Sequence, residues 1–589
     1  MTNSKTFSGR KQLPLLVYRD LNRLCARYLQ WVSPLLDDAS VLETTRSNVE
    51  SFRSHGGEGD RLQRNLEDIL SMNSDLLGEV PFRSEWYLAD RSALPVNSNP
   101  FYLLELPARS QAAQAASLTI AACDLFGLIE REDLEPDTFN DKPLCMEQYT
   151  YMFGAARNPR KGKDHFVHSD PSLTSPDHRH HIVVLRKGRI FRVDVIDEKG
   201  HIIERGRLEA LFQNIISATA PSTEPVGALT ALKRDMWAME RERLISDHPE
   251  NHRLLKIIET SLFSLSLDNT SPADREKAAR ELIIGNTSNR WFDKTIQFIV
   301  FPNEIAGLNF EHSHLDGSPM AKLVQFITQH NGTTVLPDSN MDALPLHLDF
   351  HISIETRNAI GSAERESAAT SLNTFIRSME FEPFGKDEIK KRNFSPDAFI
   401  QIAIQLAQYR TWGLCRSVFE SVMLRSFRHG RTEAMRPVSI ESDYFVRSMA
   451  DQTVPNSRRR EILLKSGNEH VRRIGQCLAG EGVEGHLFAL YHLWEISRGI
   501  DDTPPPIFQG EAWKRITCNF VSTSTTSVDG LELGGYGPTT PDGFSLRYLK
   551  KAGFLRFFLC SGTSITSDMD RFSCNLHGTL TDMLHVLDH

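Results

Sequence analysis

The sequence predicts a mixed α/β protein built from two sheet-based lobes, with a functional site where the lobes meet. Three observations lead to this prediction. A chain of 589 residues is too long for one compact core. Helical and strand-like patterns alternate along it, and no fixed-period repeat is present. An apolar fraction of 40% and a charged fraction of 24% are typical of a folded globular protein.

The predicted elements follow one another along the chain. Apolar residues recur at helical intervals in several segments, so helices are expected there: 16–36, 61–77, 108–129, 229–246, 318–330 and 395–413. Residues 180–197 alternate around a Lys-Gly turn and predict a β-hairpin. Further strands are expected in four segments rich in β-branched and aromatic residues: 295–302, 344–354, 515–525 and 553–561. The Pro- and Asn-containing stretch 85–105 predicts a loop.

Composition narrows the classes of partner and compartment. A net charge of -9 argues against nucleic acid as the main partner. No apolar run approaches the roughly 20 residues of a transmembrane helix, and the start, MTNSKTFSGRKQLP, lacks the apolar segment of a secretory signal. Eight Cys without a CxxC pair indicate reduced thiols rather than structural zinc. We therefore expect a cytoplasmic protein, since neither a mitochondrial nor a peroxisomal signal is clear.

The stretch GLNFEHSHLDG, residues 307–317, directly follows a predicted buried strand. His312 and His314 both qualify as a general base, because the unperturbed pKa of His lies near neutrality. If the segment coils, Asp316 returns toward His312 and can hold its ring in one tautomer. His314 has no such partner. The alternative is that these are satisfied surface groups, which pairs of this kind often are.

Two other polar segments are candidates for binding. Ser522, Thr523 and Ser524 place hydroxyls at the end of a strand, where they can stabilise an oxyanion or simply cap loop backbone. Lys386 and Lys390 lie in the run GKDEIKKR before a helix, as a phosphate site or as a solvated charge run. The histidines of HRHH (178–181) and HLDFH (347–351) have metal-ligand spacing, but solvated or strand-packed histidines are the expected outcome.

The form HSHLDG resembles the HxxxDG signature shared by chloramphenicol acetyltransferase, condensation domains and the carnitine/choline acyltransferases. Other segments narrow the resemblance to the carnitine/choline acyltransferase family, in the expected order from about Leu13 to the C-terminus: EWYLADRSALPVNSNP, GKDEIKKRNFSPDAFIQIAIQLAQYR, FESVMLRSFRHGRTEAMRPVS, VSTSTT and GGYGPTTPDGFSLRY. The resemblance implies two pseudo-symmetric chloramphenicol-acetyltransferase-like lobes with an active-site tunnel between them. The N-terminal lobe would span 80–353 and carry the base, and 1–79 plus 354–589 would carry the CoA and acceptor segments.

The resemblance also implies a role for each candidate residue. His312 would be the general base, Asp316 its structural support, Ser524 the oxyanion donor, and Ser522 and Thr523 supporting residues. Lys386 and Lys390 would face the CoA phosphate and Asp397 the nucleotide side. Acyl-CoA would be a substrate rather than a bound cofactor, transfer would need no acyl-enzyme and no metal, and the protein would act as a monomer. The absence of a GxSxG elbow agrees with direct transfer.

The chain departs from the family pattern at the positions that hold the acceptor. The family binds the carnitine carboxylate through a Tyr, a Thr and an Arg. Here Phe419 replaces the Tyr, Thr432 is retained and Gly485 stands where the Arg is expected. Loss of a guanidinium removes a charge-assisted partner worth about 1.5 to 3 kcal/mol. We expect another alcohol, larger or uncharged, since Gly485 would open space.

The acyl side departs as well. Gly534 occupies the position where short-chain members carry a Met, and Gly535 replaces a Phe. Two glycines predict an open channel for a medium or long acyl chain. Tyr536 would line the acceptor site and face a cation or a hydroxyl.

Three functional hypotheses remain at this point. The first is an O-acyltransferase with a non-carnitine acceptor, similar to the carnitine-acyltransferase-type units that release fungal polyketides onto polyols. Its donor would be a CoA thioester or the phosphopantetheine thioester of an acyl carrier protein. The second is a conventional carnitine acyltransferase in which Arg472 or Arg473 replaces the missing Arg. The third is an inactive acyl-CoA-binding homologue. It is disfavoured by the joint presence of five residues: His312, Asp316, Ser524, Lys386 and Lys390.

Overall fold

The computed structural model describes residues 5–72, 82–168, 180–330, 338–339, 341, 344–499 and 502–589. The predicted lobe boundary between residues 79 and 80 lies outside these residues, as do the first two positions of HRHH, and that division stays a prediction. Two large mixed sheets dominate the described part. The predicted mixed α/β architecture with two sheets is confirmed.

The strands are numbered in chain order. They are β1 (Phe101–Leu104), β2 (Thr138–Phe139), β3 (Lys142–Pro143), β4 (Ala155–Asn158), β5 (His165–His168), β6 (His181–Arg186), β7 (Arg189–Asp194), β8 (Ile202–Ile203), β9 (Ser264–Leu267), β10 (Ile296–Val300), β11 (Ala306–Phe310), β12 (Asp338–Ser339), β13 (Leu346–His347), β14 (Phe375–Phe381), β15 (Val418–Met423), β16 (Thr432–Met435), β17 (Val521–Thr525), β18 (Leu531–Gly535), β19 (Phe544–Lys550) and β20 (Leu555–Ser561). The eight-stranded sheet has the order β13-β7-β6-β9-β10-β11-β1-β18, and the six-stranded sheet the order β14-β20-β19-β17-β15-β16.

The helices are numbered in the same way. They are α1 (Leu21–Val32), α2 (Ala39–Arg53), α3 (Glu58–Met72), α4 (Phe82–Ala89), α5 (Gln111–Glu130), α6 (Arg205–Ala218), α7 (Arg234–Asp247), α8 (Pro249–Thr260), α9 (Arg275–Ile283), α10 (Gly317–His330), α11 (Ile354–Leu372), α12 (Lys386–Lys390), α13 (Pro396–Trp412), α14 (Ile440–Ala450), α15 (Asn456–Leu478), α16 (Glu484–Ser497), α17 (Gly510–Thr517) and α18 (Thr566–Asp588).

Strand β18 connects the two halves of the chain. It comes from the C-terminal half but pairs antiparallel with β1 at the edge of the eight-stranded sheet, with Tyr102 opposite Gly534 and Phe101 opposite Gly535. The strand before it, β17, and the strand after it, β19, both belong to the six-stranded sheet. The chain therefore crosses from one sheet to the other and back within about 30 residues, which brings the ends of β1, β17 and β19 to one junction.

Three apolar clusters pack the helices against the two sheets and against one another. The eight-stranded sheet packs on α5, whose residues are buried on nearly all sides, and the six-stranded sheet packs on α13 and α18. Helix α5 is long and apolar enough to cross a bilayer, but it is a core helix here. The N-terminal helices α1 to α3 form a third cluster with Val422 of β15 and Leu490 of α16. They thus pack on the C-terminal half, as the resemblance implies.

Local sequence signals account for several elements. Ser395 caps α13 by accepting a hydrogen bond from the Ala398 backbone N–H, and Pro396 stands at its first position. The predicted hairpin is β6 and β7, joined through Lys187 and Gly188, both with positive φ, which is the geometry of a type I′ turn. The predicted helix over 318–330 corresponds to α10.

Three predictions are wrong in detail. Only Leu346–His347 of 344–354 forms a strand, because Ser353 caps α11 and ends the extended segment. The predicted loop 85–105 contains most of α4 and all of β1, a strand of four residues that is too short to show an alternating pattern. In 515–525 the first residues end α17, and the strand begins only at Val521.

Candidate active site

His312 lies in the turn between β11 and α10, with its side chain 24% exposed. Its Nδ1 donates a hydrogen bond to the carbonyl oxygen of Leu315. A carbonyl can only accept, so Nδ1 carries the proton of the neutral ring and Nε2 carries the lone pair. The ring of Tyr87, from α4, lies 5.1 Å from the imidazole, centroid to centroid. His312 is therefore held in the tautomer that a general base acting through Nε2 requires.

Asp316 supports this turn through an ion pair rather than by orienting the ring. Its Oδ1 lies 3.9 Å from His312 Nδ1, whereas Arg431 donates to both of its oxygens at 2.9 and 3.0 Å. Gln148 donates to the same carboxylate at 2.8 Å. We expected Asp316 to fix the tautomer of His312. The hydrogen bond from Nδ1 to the Leu315 carbonyl fixes it instead. The role of structural support, which the resemblance implies, agrees with these bonds.

Arg431 is a site residue that the sequence analysis missed. Besides Asp316, its guanidinium donates to the carbonyl oxygens of His312 and Ser313, at 3.1 and 2.6 Å. Burial lowers the pKa of Arg431, but the charge of Asp316 outweighs this and raises it. The buried ion pair therefore fixes the backbone at His312 and Ser313. Its position beside the predicted acceptor residue Thr432 was the only signal in the sequence.

His314 packs in the interior of the protein. Its ring stacks on Phe166 at 3.8 Å, with an interplanar angle of 19°, and its Nδ1 lies 3.0 Å from the Ser313 hydroxyl. Burial, together with the charge of Arg431, lowers its pKa to about 3. His314 is therefore a neutral histidine packed in the interior at physiological pH.

The three hydroxyl residues of β17 differ in their surroundings. Thr523 donates to the carbonyl of Phe419 at 2.8 Å, so its hydroxyl is committed to the sheet. The Ser522 carbonyl accepts a hydrogen bond of 2.9 Å from Tyr536, whose pKa burial raises well above its usual range. Ser524 is half-buried, and its Oγ lies 3.5 Å from Nη1 of Arg547. The Ser522 hydroxyl lies 3.3 Å from the Tyr536 hydroxyl, whereas the only contact described for the Ser524 hydroxyl is the long one with Arg547.

A short chain of contacts joins Ser524 to the turn that carries His312. Arg547 Nη2 lies 3.3 Å from the hydroxyl of Tyr102, and that hydroxyl donates to the carbonyl of Gly317 at 3.2 Å. Gly317 directly follows Asp316. The turn that carries His312 is therefore linked to the Ser524 hydroxyl of the other sheet through side chains at the junction that β1 and β18 form.

The predicted phosphate-binding lysines are the first and last residues of α12. Within the described ranges neither Lys386 nor Lys390 forms an ion pair. The adjacent cations do: Lys391 pairs with Glu388 at 2.8 Å, and Arg392 pairs with both Glu388 and Asp588. Lys386 and Lys390 are therefore the two cations of the run GKDEIKKR that no described carboxylate pairs with, and they are available to bind an anionic ligand.

Asp397 belongs to a buried ionisable cluster. It accepts hydrogen bonds from Lys550 and from the Tyr548 hydroxyl, the latter at 3.0 Å. Burial raises its pKa, but the contacts with His470 and Lys550 outweigh this and hold it well below its usual range. Burial beside Asp397 raises the pKa of Glu420. Asp397, Glu420 and His470 lie close enough to share a cation, but the Lys550 ammonium on Asp397 disfavours one.

Gly485, one of the predicted acceptor-binding residues, does not border the open space that was expected there. A Cβ there would overlap the Tyr18 hydroxyl and would lie 2.8 Å from Oε2 of Glu433. The volume expected to be open is thus filled by Tyr18, from the N-terminal segment. Phe419 lies opposite Ser522 in the sheet, and the Arg436 guanidinium carbon lies 5.7 Å from its ring centroid.

The two arginines proposed as replacements are already engaged. Arg472 pairs with Glu469 at 2.7 Å. Arg473 is buried, and it pairs with Glu469 at 2.8 Å and donates to the carbonyls of Arg436 and Val438. Neither guanidinium is therefore placed to act as the arginine expected at position 485.

Comparison with known proteins identifies the family. Residues 19–578 match the family described as choline/carnitine O-acyltransferase. The chain belongs to this family. It is 30% identical to mouse (Mus musculus) carnitine O-acetyltransferase over 98% of this chain and 94% of the relative. It is 29% identical to mitochondrial carnitine O-palmitoyltransferase 2 of Xenopus tropicalis over 99% and 93%.

Among solved structures, the trichothecene 15-O-acetyltransferase of Fusarium sporotrichioides matches with a TM-score of 0.39 and 9% identity. The match covers 85% of this chain and 93% of that chain. Family membership establishes an acyltransferase enzyme. Acyl-CoA as a substrate is consistent with that membership.

The acyl channel expected in this family member is not open beside the two glycines. A Cβ at Gly534 would lie 2.8 Å from Nε of Arg547 and 2.8 Å from Cδ1 of Tyr102. A Cβ at Gly535 would overlap the ring of Phe558 and lie 2.8 Å from Phe101. The prediction of a wide channel is therefore wrong at these positions, because larger side chains from β1, β19 and β20 occupy the space that the glycines leave.

Replacing Asp316 by Asn tests the supporting ion pair. The Asp316→Asn change leaves the buried Arg431 charge without its partner, so we expect destabilisation by about 3 to 5 kcal/mol. His312→Ala, which removes a partly exposed ring, should cost much less. Thermal unfolding of both variants measures the difference. In the double variant Asp316→Asn/Arg431→Met the loss should be smaller than in Asp316→Asn alone, and a loss as large as the sum of the two single variants would contradict a direct pair.

The buried His314 predicts an acid-sensitive stability. Its pKa of about 3 in the folded protein lies below the roughly 6.5 of an unfolded histidine. The unfolded state therefore binds a proton first as the pH falls, and stability that is fully present above about pH 6.5 is lost toward pH 3. His314→Phe keeps a ring on Phe166, and its melting temperature should fall less between pH 7 and 4 than that of the wild type. His55→Gln, at a side chain 99% exposed, is the control; equal slopes in all three proteins would contradict the assignment.

Proposed function

We propose that the protein transfers an acyl group directly from a CoA or phosphopantetheine thioester to an alcohol, with His312 as general base. The observation that carries the proposal is the hydrogen bond from His312 Nδ1 to the Leu315 carbonyl. It leaves the lone pair on Nε2, the nitrogen that can accept the proton of an acceptor hydroxyl. Ser524, across the junction, supports the proposal as the donor to the oxyanion.

The reaction then needs four events. His312 Nε2 takes the proton as the acceptor oxygen attacks the thioester carbonyl carbon. The carbonyl oxygen becomes an oxyanion, to which the Ser524 hydroxyl donates. The carbon–sulfur bond breaks, and the CoA thiolate takes the proton back from the His312 imidazolium. The ester and free CoA are the products, and no side chain is acylated.

Neither Lys386 nor Lys390 forms an ion pair with a carboxylate of the described residues. This supports the proposal that the two lysines bind the CoA phosphates. Phosphates attract such cations and are bound through charge-assisted hydrogen bonds. A carrier protein presents the same thioester arm but not the nucleotide, so its use as donor would not depend on these two lysines.

The acceptor that the site favours is a neutral or cationic alcohol, such as a polyol, rather than carnitine. Gly485 removes the guanidinium expected there, and Tyr18 fills its space beside the Glu433 carboxylate. A carboxylate on the acceptor would lack the guanidinium that the family uses to bind it. The identity of 30% to a carnitine O-acetyltransferase favours carnitine as the second candidate.

An acceptor screen tests the proposal. Acyl-CoAs are incubated with carnitine, choline, glycerol and longer polyols, and products are identified by mass spectrometry while free CoA is titrated. We expect esters of a polyol or another non-carnitine alcohol. His312→Ala should lower the rate roughly 10²- to 10⁴-fold and Ser524→Ala roughly 10²- to 10³-fold. Ser527→Ala, three residues beyond Ser524 and exposed, is the matched control.

Three outcomes would contradict the proposal in different ways. A saturable release of CoA that requires carnitine would assign the conventional acceptor. Thioester cleavage that persists unchanged in His312→Ala would show that His312 is not the general base. If no ester forms with any alcohol, the result would favour an inactive homologue that binds acyl-CoA.

A further inference from the structure

Arg547 places a buried positive charge beside Ser524. The residue lies on β19 and is 4% exposed. Its Nη1 lies 3.5 Å from Ser524 Oγ and its Nη2 lies 3.3 Å from the Tyr102 hydroxyl. Its guanidinium carbon lies 4.7 Å from the centroid of the Tyr102 ring. The charge thus sits at the sheet junction, where the acyl end of a thioester would lie in the proposed function.

No carboxylate of the described residues lies within ion-pair distance of Arg547, and its Nε has no hydrogen-bond partner there. Other buried arginines in this protein are paired with acids: Arg157 and Arg234 with Asp164, Arg290 with Asp268, Arg431 with Asp316 and Arg473 with Glu469. Arg186 donates to two backbone carbonyls instead. Arg547 has neither kind of acceptor, only two long contacts with hydroxyls.

A buried cation without a counter-ion is costly, because its lost hydration is not replaced. Arg547 offsets this cost only in part, through two long hydrogen bonds to neutral hydroxyls and a contact with the face of the Tyr102 ring. Such a charge is retained where a ligand brings the missing anion. A guanidinium is suited to a carboxylate in particular, since its planar donors match the two oxygens.

We propose that Arg547 binds a carboxylate at the far end of a short acyl group, so that the donor is the thioester of a dicarboxylic acid. This rests on the proposed function, in which Ser524 holds the thioester oxygen. The same side chain lies against Gly534, the position that the resemblance assigns to the acyl channel, and closes it to a long apolar chain.

The contacts also limit the length of the acyl group. The Ser524 hydroxyl reaches the thioester oxygen through one hydrogen bond of about 2.7 Å. The guanidinium begins 3.5 Å from that hydroxyl. The carboxylate therefore belongs a few carbons from the thioester carbon, as in malonyl-, succinyl- or glutaryl-CoA. An alternative role, in which Arg547 only strengthens Ser524 as an oxyanion donor, predicts no preference among acyl groups.

Binding of unreactive analogues separates these roles. S-carboxyethyl-CoA and S-propyl-CoA are thioethers of equal length that differ in one carboxylate, and their affinities are measured by calorimetry without an acceptor. We expect the wild type to bind the carboxylate roughly tenfold to a hundredfold more tightly. Arg547→Gln and Arg547→Met should lose this preference. Arg556→Gln, on the adjacent strand β20 where Arg556 pairs with Glu380, should keep it.

Turnover gives the second readout. The ratio of kcat/KM for succinyl-CoA to that for butyryl-CoA should exceed ten in the wild type and fall to one or below in Arg547→Met. A common loss for both donors with an unchanged ratio would overturn the proposal and assign Arg547 to the oxyanion. Equal affinity of the wild type for the two analogues would overturn it without any variant. Failure of the wild type to bind CoA or either analogue would instead overturn the proposed function.

Discussion

The pairing of β18 with β1 is the interaction on which the rest of the site depends. It carries a strand from the C-terminal half into the sheet of the N-terminal half, so that β17 and β19 arrive beside β1. Tyr102 on β1 can then contact Arg547 on β19 and Gly317 next to the histidine turn. Without this pairing, His312 and Ser524 would lie in separate halves of the protein with nothing to set the distance between them.

The charges at this junction serve different purposes according to their partners. Arg431 is fully paired with Asp316 and fixes the backbone around His312. Asp397, in the cluster with Glu420 and His470, is likewise paired within the protein, with Lys550 and His470. Lys386 and Lys390 at the surface and Arg547 in the interior have no acidic partner in the described part of the chain. Paired charges thus build the site, and the charges without an acidic partner are the ones that our proposals assign to anionic groups of the substrate.

A structural feature can be predicted from the sequence when residues close together in the chain determine it. The histidine turn, the capped helix after Ser395 and the hairpin at Lys187 and Gly188 are set by neighbouring residues, and they could be predicted. Whether Gly485 or Gly534 leaves open space depends on Tyr18 and Arg547, which are distant in the chain. The same reason explains why Arg431 and Arg547 were missed as site residues. Strand β1 was missed because four residues carry too little pattern.

Whether His312 can act as the general base depends most directly on its tautomer. Selective ¹⁵N labelling of histidine and comparison of the wild type with His312→Gln would assign the two ring nitrogens of His312 by NMR. We predict that Nδ1 carries the proton of the neutral ring, as its hydrogen bond to Leu315 requires. A neutral ring protonated on Nε2 would contradict the account, because that nitrogen could not then accept a proton from the alcohol.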